Sequence, residues 1–399
     1  MAAPAHKRRA FVVVIDGLGA GAEPDAADYG DTGANTLAHV ARAAGGLELP
    51  AFEHLGLGNI AELAGVAPSP APVVHGTLAH AGAGKDSTTG HWELMGVVCE
   101  QPLPSFPDGV PDRVRVLLED ATGLRFCGCS AIDGIAALEQ FGAHHLATGE
   151  VILYSSVDSV VQLAAHEAVM SPEALHGACA AARAALTGAD AVGRVIARPF
   201  GGAEGAFQRS DGRRDFSLQP PSRSYLDVAQ ERGVPVRGVG KVVDLFAGRG
   251  FDAAHPGSSN TEALASLDAL VDRFAHGLVV ANLIDTDQLH GHRKDVAGIA
   301  AALREIDTAL ARWIHVLGDG DLLLLTADHG VDPAMAHSDH TRERVPLLAV
   351  VPGAAGERYD GVMADAGATA LAWLTGEDDA GLPGSSFLSP PAEIGAGDA

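Results

Sequence analysis

Four short runs in this chain are almost wholly apolar and stop abruptly at an acid or a glycine: "FVVVIDG" (11–17), "LVVANLID" (278–285), "LLLLTADHG" (322–330) and "PLLAVVPG" (346–353). A strand with one wet face alternates apolar and polar residues, whereas a strand covered on both faces does not. Unbroken runs of this length therefore predict a parallel sheet enclosed between helices. Helical patterns lie between the runs. "TEALASLDALVDRFA" (261–275) opens after Ser258, Ser259 and Asn260, and "RKDVAGIAAALREIDTALARWIHVL" (293–317) is long and amphipathic. The predicted fold class is α/β with a doubly wound, mostly parallel sheet.

The middle of the chain breaks this pattern. "EQPLPSFPDGVP" (100–111) and "LQPPSRSYL" (218–226) are rich in proline, which favours stiff connectors over helix or central strand. Between them the patterns predict a helix at 111–120, extended segments within "GEVILYSSVDSVVQLA" (149–164), a helix at 173–186 and a strand at 193–200. We read residues 103–219 as a smaller inserted α/β domain, with residues 1–102 and 220–399 forming one discontinuous sheet domain. Two sequential domains are the alternative. The Ala/Gly/Asp-rich tail from 377 reads as weakly structured.

Composition narrows the partners. With 47% hydrophobic and 20% charged residues the chain reads as globular. A formal charge of −24 argues against nucleic acid or an anionic membrane as partner. It does not exclude an anionic substrate, because local cations or a metal can reverse the field within a cleft. Cys99, Cys127, Cys129 and Cys179 form no C-x-x-C pair, so neither a zinc ribbon nor a disulfide framework is indicated. The basic start "HKRR" leads into only six apolar residues before Asp16, too few for a signal sequence, and no 18-residue apolar stretch follows. A soluble, cytoplasmic, monomeric protein is expected.

The stretch "AGAGKDSTTGHWELMGV" (81–97) fails as a P-loop. Ala79 stands where the first glycine is needed, and Asp86 where Ser or Thr must follow the lysine. Its hydroxyls, Ser87, Thr88 and Thr89, enter a helix from a glycine-framed turn. That position suits an N-cap, a phosphate site or a nucleophile. Elsewhere, predicted strands end in metal-ligand residue types: Asp16; Asp285 and Asp287 with His292 close behind; and Asp328-His329, followed by Asp339 and His340. A lone strand-end Asp is commonly a helix cap. Several clusters of carboxylate and imidazole together point to a pair of zinc- or manganese-like ions sharing a carboxylate, an arrangement suited to phosphoryl transfer.

The segments "DGLGAGAEPDAADYGDTGANTLAH", "LGLGNI", "GKDSTTGHWELMG", "LYSSVDSVVQLAAHE", "VGRVIARPF", "GKVVDLFAGRG", "IDTDQLHGHRKDV", "TADHGVDP" and "SDHTRERVPLL" span most of residues 12–350. In this order the chain resembles the phosphopentomutases of the alkaline phosphatase superfamily. The resemblance implies an alkaline-phosphatase-like core with an inserted cap. It also implies one metal on Asp287, His292 and His340, and another on Asp16, Asp328 and His329, with manganese as the usual ion. It assigns the phosphorylated nucleophile to Ser87, where the family usually has Thr, with Thr88 as a substitute. Sugar-phosphate contacts carry over to Ser156, Val160, Arg194, Ile196, Arg209 and Lys241. The implied reaction interconverts ribose 1-phosphate and ribose 5-phosphate and the 2-deoxy analogues, with glucose 1,6-bisphosphate or a similar sugar bisphosphate as activator. Gly212, Arg214, His290 and His337 depart from the usual Asn, His, Tyr and Gly, and the two histidines are read as peripheral to the metals. A phosphatase, a mutase for another sugar phosphate and a silent metal-binding protein are the rival readings.

Overall fold

The computed structural model describes residues 8–156, 159–351, 356–377 and 380–388. They form two compact units whose boundaries fall at Pro102/Leu103 and Gln219/Pro220. Segments before and after the smaller unit together make the larger one.

The larger unit is built on an eight-stranded sheet. Its strands run in the order Ala253–His255, Val236–Val239, Gly277–Leu283, Arg9–Ile15, Asp321–Thr326, Val345–Val350, Val74–Ala79 and Gly361–Val362. Only Val345–Val350 runs against the rest. In the central Arg9–Ile15 strand every residue after Arg9 is buried, and all of Gly277–Leu283 and Asp321–Thr326 is buried. Unbroken apolar sequence and two-sided burial thus describe the same strands. Each fully buried Val or Leu contributes about 1.5–3 kcal/mol. The helix Val296–Val316 lays Ile299, Leu303, Ile306, Leu310 and Trp313 inward at spacings of three and four, as one helical face requires. No helix among the described residues is long and apolar enough to cross a membrane.

The smaller unit holds a mixed six-stranded sheet in the order Phe126–Ala131, Val151–Ser155, Val160–His166, Arg194–Gly201, Gln208–Arg209, with Arg214–Ser217 also paired to Arg194–Gly201. Alternation along its strands sends Val151, Leu153, Val161, Leu163, Val195 and Ala197 into one core, and Ile152, Tyr154 and Ala164 into another beneath the helix Gly134–Thr148. The tail departs from expectation in part. Residues 378–379 and 389–399 lie outside the described residues, but 380–388 is fastened down. Tyr225 Oη donates to the Pro383 carbonyl (2.8 Å), Ser385 N to Asp365 Oδ1 (2.7 Å) and Phe387 N to Thr369 Oγ1 (3.2 Å).

Candidate active site

Five strands of the larger sheet that run in one direction end at the same edge, and each leads to a residue with chemistry. Arg9–Ile15 leads to Asp16, Val74–Ala79 to the loop before Ser87, and Val236–Val239 to Lys241. Gly277–Leu283 leads to Asp287 and Asp321–Thr326 to Asp328-His329. The carboxyl edge of an open α/β sheet is where chain direction alone gathers loop residues.

The helix Ser87–Leu94 is capped by Asp86, whose carboxylate accepts from Thr88 N (2.9 Å) and Thr89 N (3.1 Å). The hydroxyl residue is therefore not the cap. Asp86 takes that duty and leaves the Ser87 hydroxyl free for other partners. Ser87 Oγ lies 3.1 Å from His329 Nε2 and 3.5 Å from Asp16 Oδ1, and accepts from Lys241 Nζ at 3.0 Å. Thr88 is buried one position on, about 100° around the helix. The preceding loop is fixed by Lys85 Nζ on Asp31 Oδ2 (3.1 Å) and by Arg342 Nη1 on the Gly84 carbonyl (2.7 Å). A Cβ at Gly90 would meet the Asp328 carbonyl oxygen at 2.2 Å. Only glycine lets the Ser87–Leu94 helix rest on the strand end that carries Asp328-His329.

Asp16, Asp328 and His329 form one group of converging ligand atoms, and Asp287, His329 and His340 another, all of them buried. His292 stands at the rim, its Nε2 3.5 Å from Asp287 Oδ1, the same separation as His340 Nε2. Asp287 Oδ1 is buried without a hydrogen bond. His329 Nε2 lies 3.5 Å from Asp16 Oδ1 and 3.4 Å from Asp328 Oδ2. Ligand atoms about 2.0–2.2 Å from a shared tetrahedral ion sit roughly 3.4 Å apart, so these separations fit divalent ions. The imidazoles are oriented for it. Nδ1 of His292 faces the Ser338 carbonyl (2.7 Å) and Nδ1 of His329 the Gly330 carbonyl (3.0 Å), which directs each Nε2 lone pair inward. Asp285 and Asp339, ligand-type residues of the same clusters, stand outside both groups, in keeping with the two expected triads. Asp285 Oδ2 accepts from Asn260 N at a helix start, and Asp339 Oδ1 accepts from His340 N. His290 faces Asp295 (2.8 Å) and His337 faces buried Asp31 (2.9 Å).

Electrostatics carry the same message. Burial and the neighbouring Asp328 push the Asp16 carboxyl up to about 7, and burial pulls the His329 imidazole down to about 3. Burial disfavours the Lys241 charge, but the Asp16, Asp328 and Asp287 carboxylates outweigh it and raise the ammonium above its ordinary range. Lys241 is ion-paired with Asp16. Buried carboxylates this crowded require cations, and one lysine is too few for three of them.

Two residues not singled out in the sequence complete the site. His91 Nδ1 lies 2.8 Å from the Ser87 carbonyl and 3.1 Å from Asp328 Oδ2. Asn282 Nδ2 donates to Asp16 Oδ2 (2.9 Å) and faces His91 Nε2 (3.2 Å). Together they tie the Asp16 and Asp328 carboxylates to the Ser87–Leu94 helix. Their signals were present: a histidine four residues after Ser87, and a lone amide inside an apolar strand. His91→Ala is expected to lower metal affinity by about 10- to 100-fold while excess metal restores occupancy. Metal titration of the stripped protein reads this directly, and an unchanged affinity would remove His91 from the network.

Of the expected sugar-phosphate contacts, only Lys241 belongs to the larger unit. In the smaller one Val160 pairs with Arg194, and Ile196 follows two residues on along the same face. Ser156 follows the Val151–Ser155 strand and is half-buried. Arg194 lies 3.7 Å from Asp215. Arg209 pairs with Phe200, six residues beyond Arg194 and so about 20 Å along the strand, and the structure does not set the two backbones side by side. Its guanidinium reaches the space before Gly134, beside the Tyr154 hydroxyl. Arg198, unnoticed in the sequence, is on the Arg194 face. It donates to Gln162 Oε1 (3.0 Å), and burial together with Arg213 pulls it down to about 10.

Residues 235–377 match the family described as the Metalloenzyme superfamily. Over 386 residues the chain is 45% identical to the phosphopentomutase of Anaeromyxobacter sp. (strain K), covering 96% of this chain and 98% of that one. It is 42% identical to the phosphopentomutase of Dictyoglomus turgidum over the same shares. Among solved structures, Leishmania mexicana phosphoglycerate mutase at low cobalt concentration aligns with a TM-score of 0.51 at 13% identity, covering 95% of this chain and 97% of that one. At that identity what is shared is the α/β fold. Identity near 45% across almost the whole length is a closer relation than fold, and it accompanies a hydroxyl, a lysine and a carboxylate–imidazole cluster at one sheet edge. On these grounds the chain belongs to the phosphopentomutase family.

Proposed function

We propose that this protein is a phosphopentomutase that interconverts ribose 1-phosphate and ribose 5-phosphate, and their 2-deoxy analogues, through a phosphorylated Ser87. The observation that carries the reading is the Ser87 hydroxyl, 3.0 Å from Lys241 Nζ and 3.1 Å from His329 Nε2, among buried carboxylates. Asp16, Asp328 and His329 would hold one ion, and Asp287, His292 and His340 the other. Two dications, manganese in our reading, would neutralise phosphate charge and lower the hydroxyl pKa. In the forward step the bond from phosphorus to Ser87 Oγ breaks and a bond to the free hydroxyl of the pentose monophosphate forms. The proton of that hydroxyl passes to Ser87 Oγ. The bisphosphate turns over, its other phosphoryl group returns to Ser87, and the isomer leaves. No water is consumed, and a sugar bisphosphate such as glucose 1,6-bisphosphate starts the cycle. The Lys241 ammonium, held protonated by its carboxylate neighbours, stabilises the serine oxygen as it departs.

Phosphorus NMR of the protein with ribose 5-phosphate and glucose 1,6-bisphosphate tests this: ribose 1-phosphate supports it, and free phosphate alone or no change refutes it. The smaller unit enters the proposal through Arg194 and Arg209, as grips on the substrate's phosphate. Arg194→Ala is expected to lower kcat/KM for ribose 5-phosphate by roughly 10- to 150-fold, the worth of about 1.5–3 kcal/mol in a charge-assisted contact. Metal content and phosphorylation of Ser87 should stay as they are, because Arg194 lies outside the unit that contains them. Loss of metals in this variant would overturn the division of labour.

A further inference from the structure

The smaller unit contains a second convergence of ligand-type side chains, sharing no residue with the cluster above. Cys127 lies on Phe126–Ala131, the edge strand of the six-stranded sheet. His144 lies in the last turns of the helix Gly134–Thr148. Glu150 stands directly before the strand Val151–Ser155, which pairs with the Cys127 strand. The helix ends at Gly149 in the left-handed conformation (φ 78°), and this sharp turn brings Glu150 back beside His144. His144 Nε2 and Glu150 Oε2 are 2.8 Å apart, and Cys127 Sγ donates to the Glu150 carbonyl at 3.6 Å. One sulfur, one nitrogen and one carboxylate oxygen lie within 4.8 Å of one another.

The neighbourhood is fixed independently of these three. Buried His145 faces the Glu150 carbonyl with Nδ1 (2.7 Å) and accepts from His166 N with Nε2 (2.8 Å), so the turn that places Glu150 is pinned to the sheet. Cys127 is half-buried, whereas the His144 and Glu150 side chains are 50% and 38% exposed. The group is closed on the sulfur side and open to water on the other.

We propose that Cys127, His144 and Glu150 form an additional divalent-metal site of the zinc class, with water as the fourth ligand. Zinc accepts thiolate, imidazole and carboxylate together, in tetrahedral geometry. Manganese and magnesium favour oxygen and bind thiolate poorly, so the sulfur makes this cluster selective against them. Binding replaces the His144–Glu150 contact with two metal bonds and releases the thiol proton to solvent. Burial and Glu150 push that thiol up to about 11, so affinity for zinc rises with pH. The ion would join the edge strand to the end of the helix.

The proposal does not rest on the mutase reading, and its test uses spectra and metal counts. Full-length protein is stripped with a chelator and titrated with cobalt(II). The expected result is a near-ultraviolet thiolate-to-cobalt charge-transfer band, which the carboxylate–imidazole cluster cannot give because it has no sulfur. Cys127→Ser should lose the band and one zinc ion per chain at saturation. His144→Ala, a change at an exposed position, should shift the band and weaken cobalt binding. A band that survives in Cys127→Ser would place the sulfur on Cys99, Cys129 or Cys179 and overturn the assignment. So would the absence of any band at saturating cobalt, or a zinc count that Cys127→Ser leaves unchanged.

Discussion

Ser87→Ala is expected to lose mutase activity by about 10⁴-fold or more and to acquire no phosphoryl group from glucose 1,6-bisphosphate, while the protein folds and retains its metals. The size of the effect follows from what is removed. Ser87 Oγ is the hydroxyl that Lys241, His329 and Asp16 surround, and alanine leaves those three groups in place with nothing for them to activate. The fold should survive because Asp86, not Ser87, caps the helix. Losing one partly exposed hydroxyl costs about 1 kcal/mol, which a domain of this size tolerates. Thr88→Ala provides the contrast. Thr88 is buried on a different side of the helix, so that variant should still be phosphorylated. Mass spectrometry of the phosphorylated wild type decides the matter, and a phosphate found on Thr88 would refute the assignment.

What the sequence disclosed, and what it hid, follows from how each feature is encoded. Buried parallel strands need unbroken apolar runs, so Arg9–Ile15, Gly277–Leu283 and Asp321–Thr326 were legible, and with them the edge where Asp16, Asp287 and Asp328 emerge. The strand Phe126–Ala131 and the helix Gly134–Thr148 were not singled out. "FCGCSA" carries a glycine and a bulge and lacks β-branched residues, and the helix is rich in small residues, with Gly134 and Gly142 packed against neighbouring side chains. At the site, residue type and position were visible, but direction was not. Asp285 and Asp287 are two residues apart in a π-helical turn, and only Asp287 enters the cluster. His91, Asn282 and Arg198 were unread because each looks, one at a time, like a core polar group or a surface charge. Only the fold reveals that Asn282 spans Asp16 and His91.

Asp287→Ala is expected to remove bound metal and, with it, to lower activity by about 10³-fold or more, and His340→Ala to act in the same way. Asp287 is buried with Oδ1 3.5 Å from both His292 and His340, so it is the one anionic group between two imidazoles. In the metal-free protein burial opposes the Asp287 charge, and His340 and His292 more than offset it, drawing the carboxyl below its ordinary range. Alanine deletes the carboxylate that a dication would bind and leaves only ring nitrogens on that side, which bind manganese weakly. Metal-linked stability should go as well. A ligand at a thousand times its dissociation constant stabilises a fold by about 4 kcal/mol, so the rise in Tm on adding manganese should shrink in Asp287→Ala and persist in the wild type. His290→Ala is the control. That ring faces Asp295 at the start of the Val296–Val316 helix, so its loss should leave both metal content and turnover close to wild type. Metal analysis after dialysis, paired with turnover at saturating manganese, separates the cases. Equal losses of manganese in His290→Ala and His340→Ala would mean that the ligand set is wrong, because only one of those rings lies at the buried carboxylates.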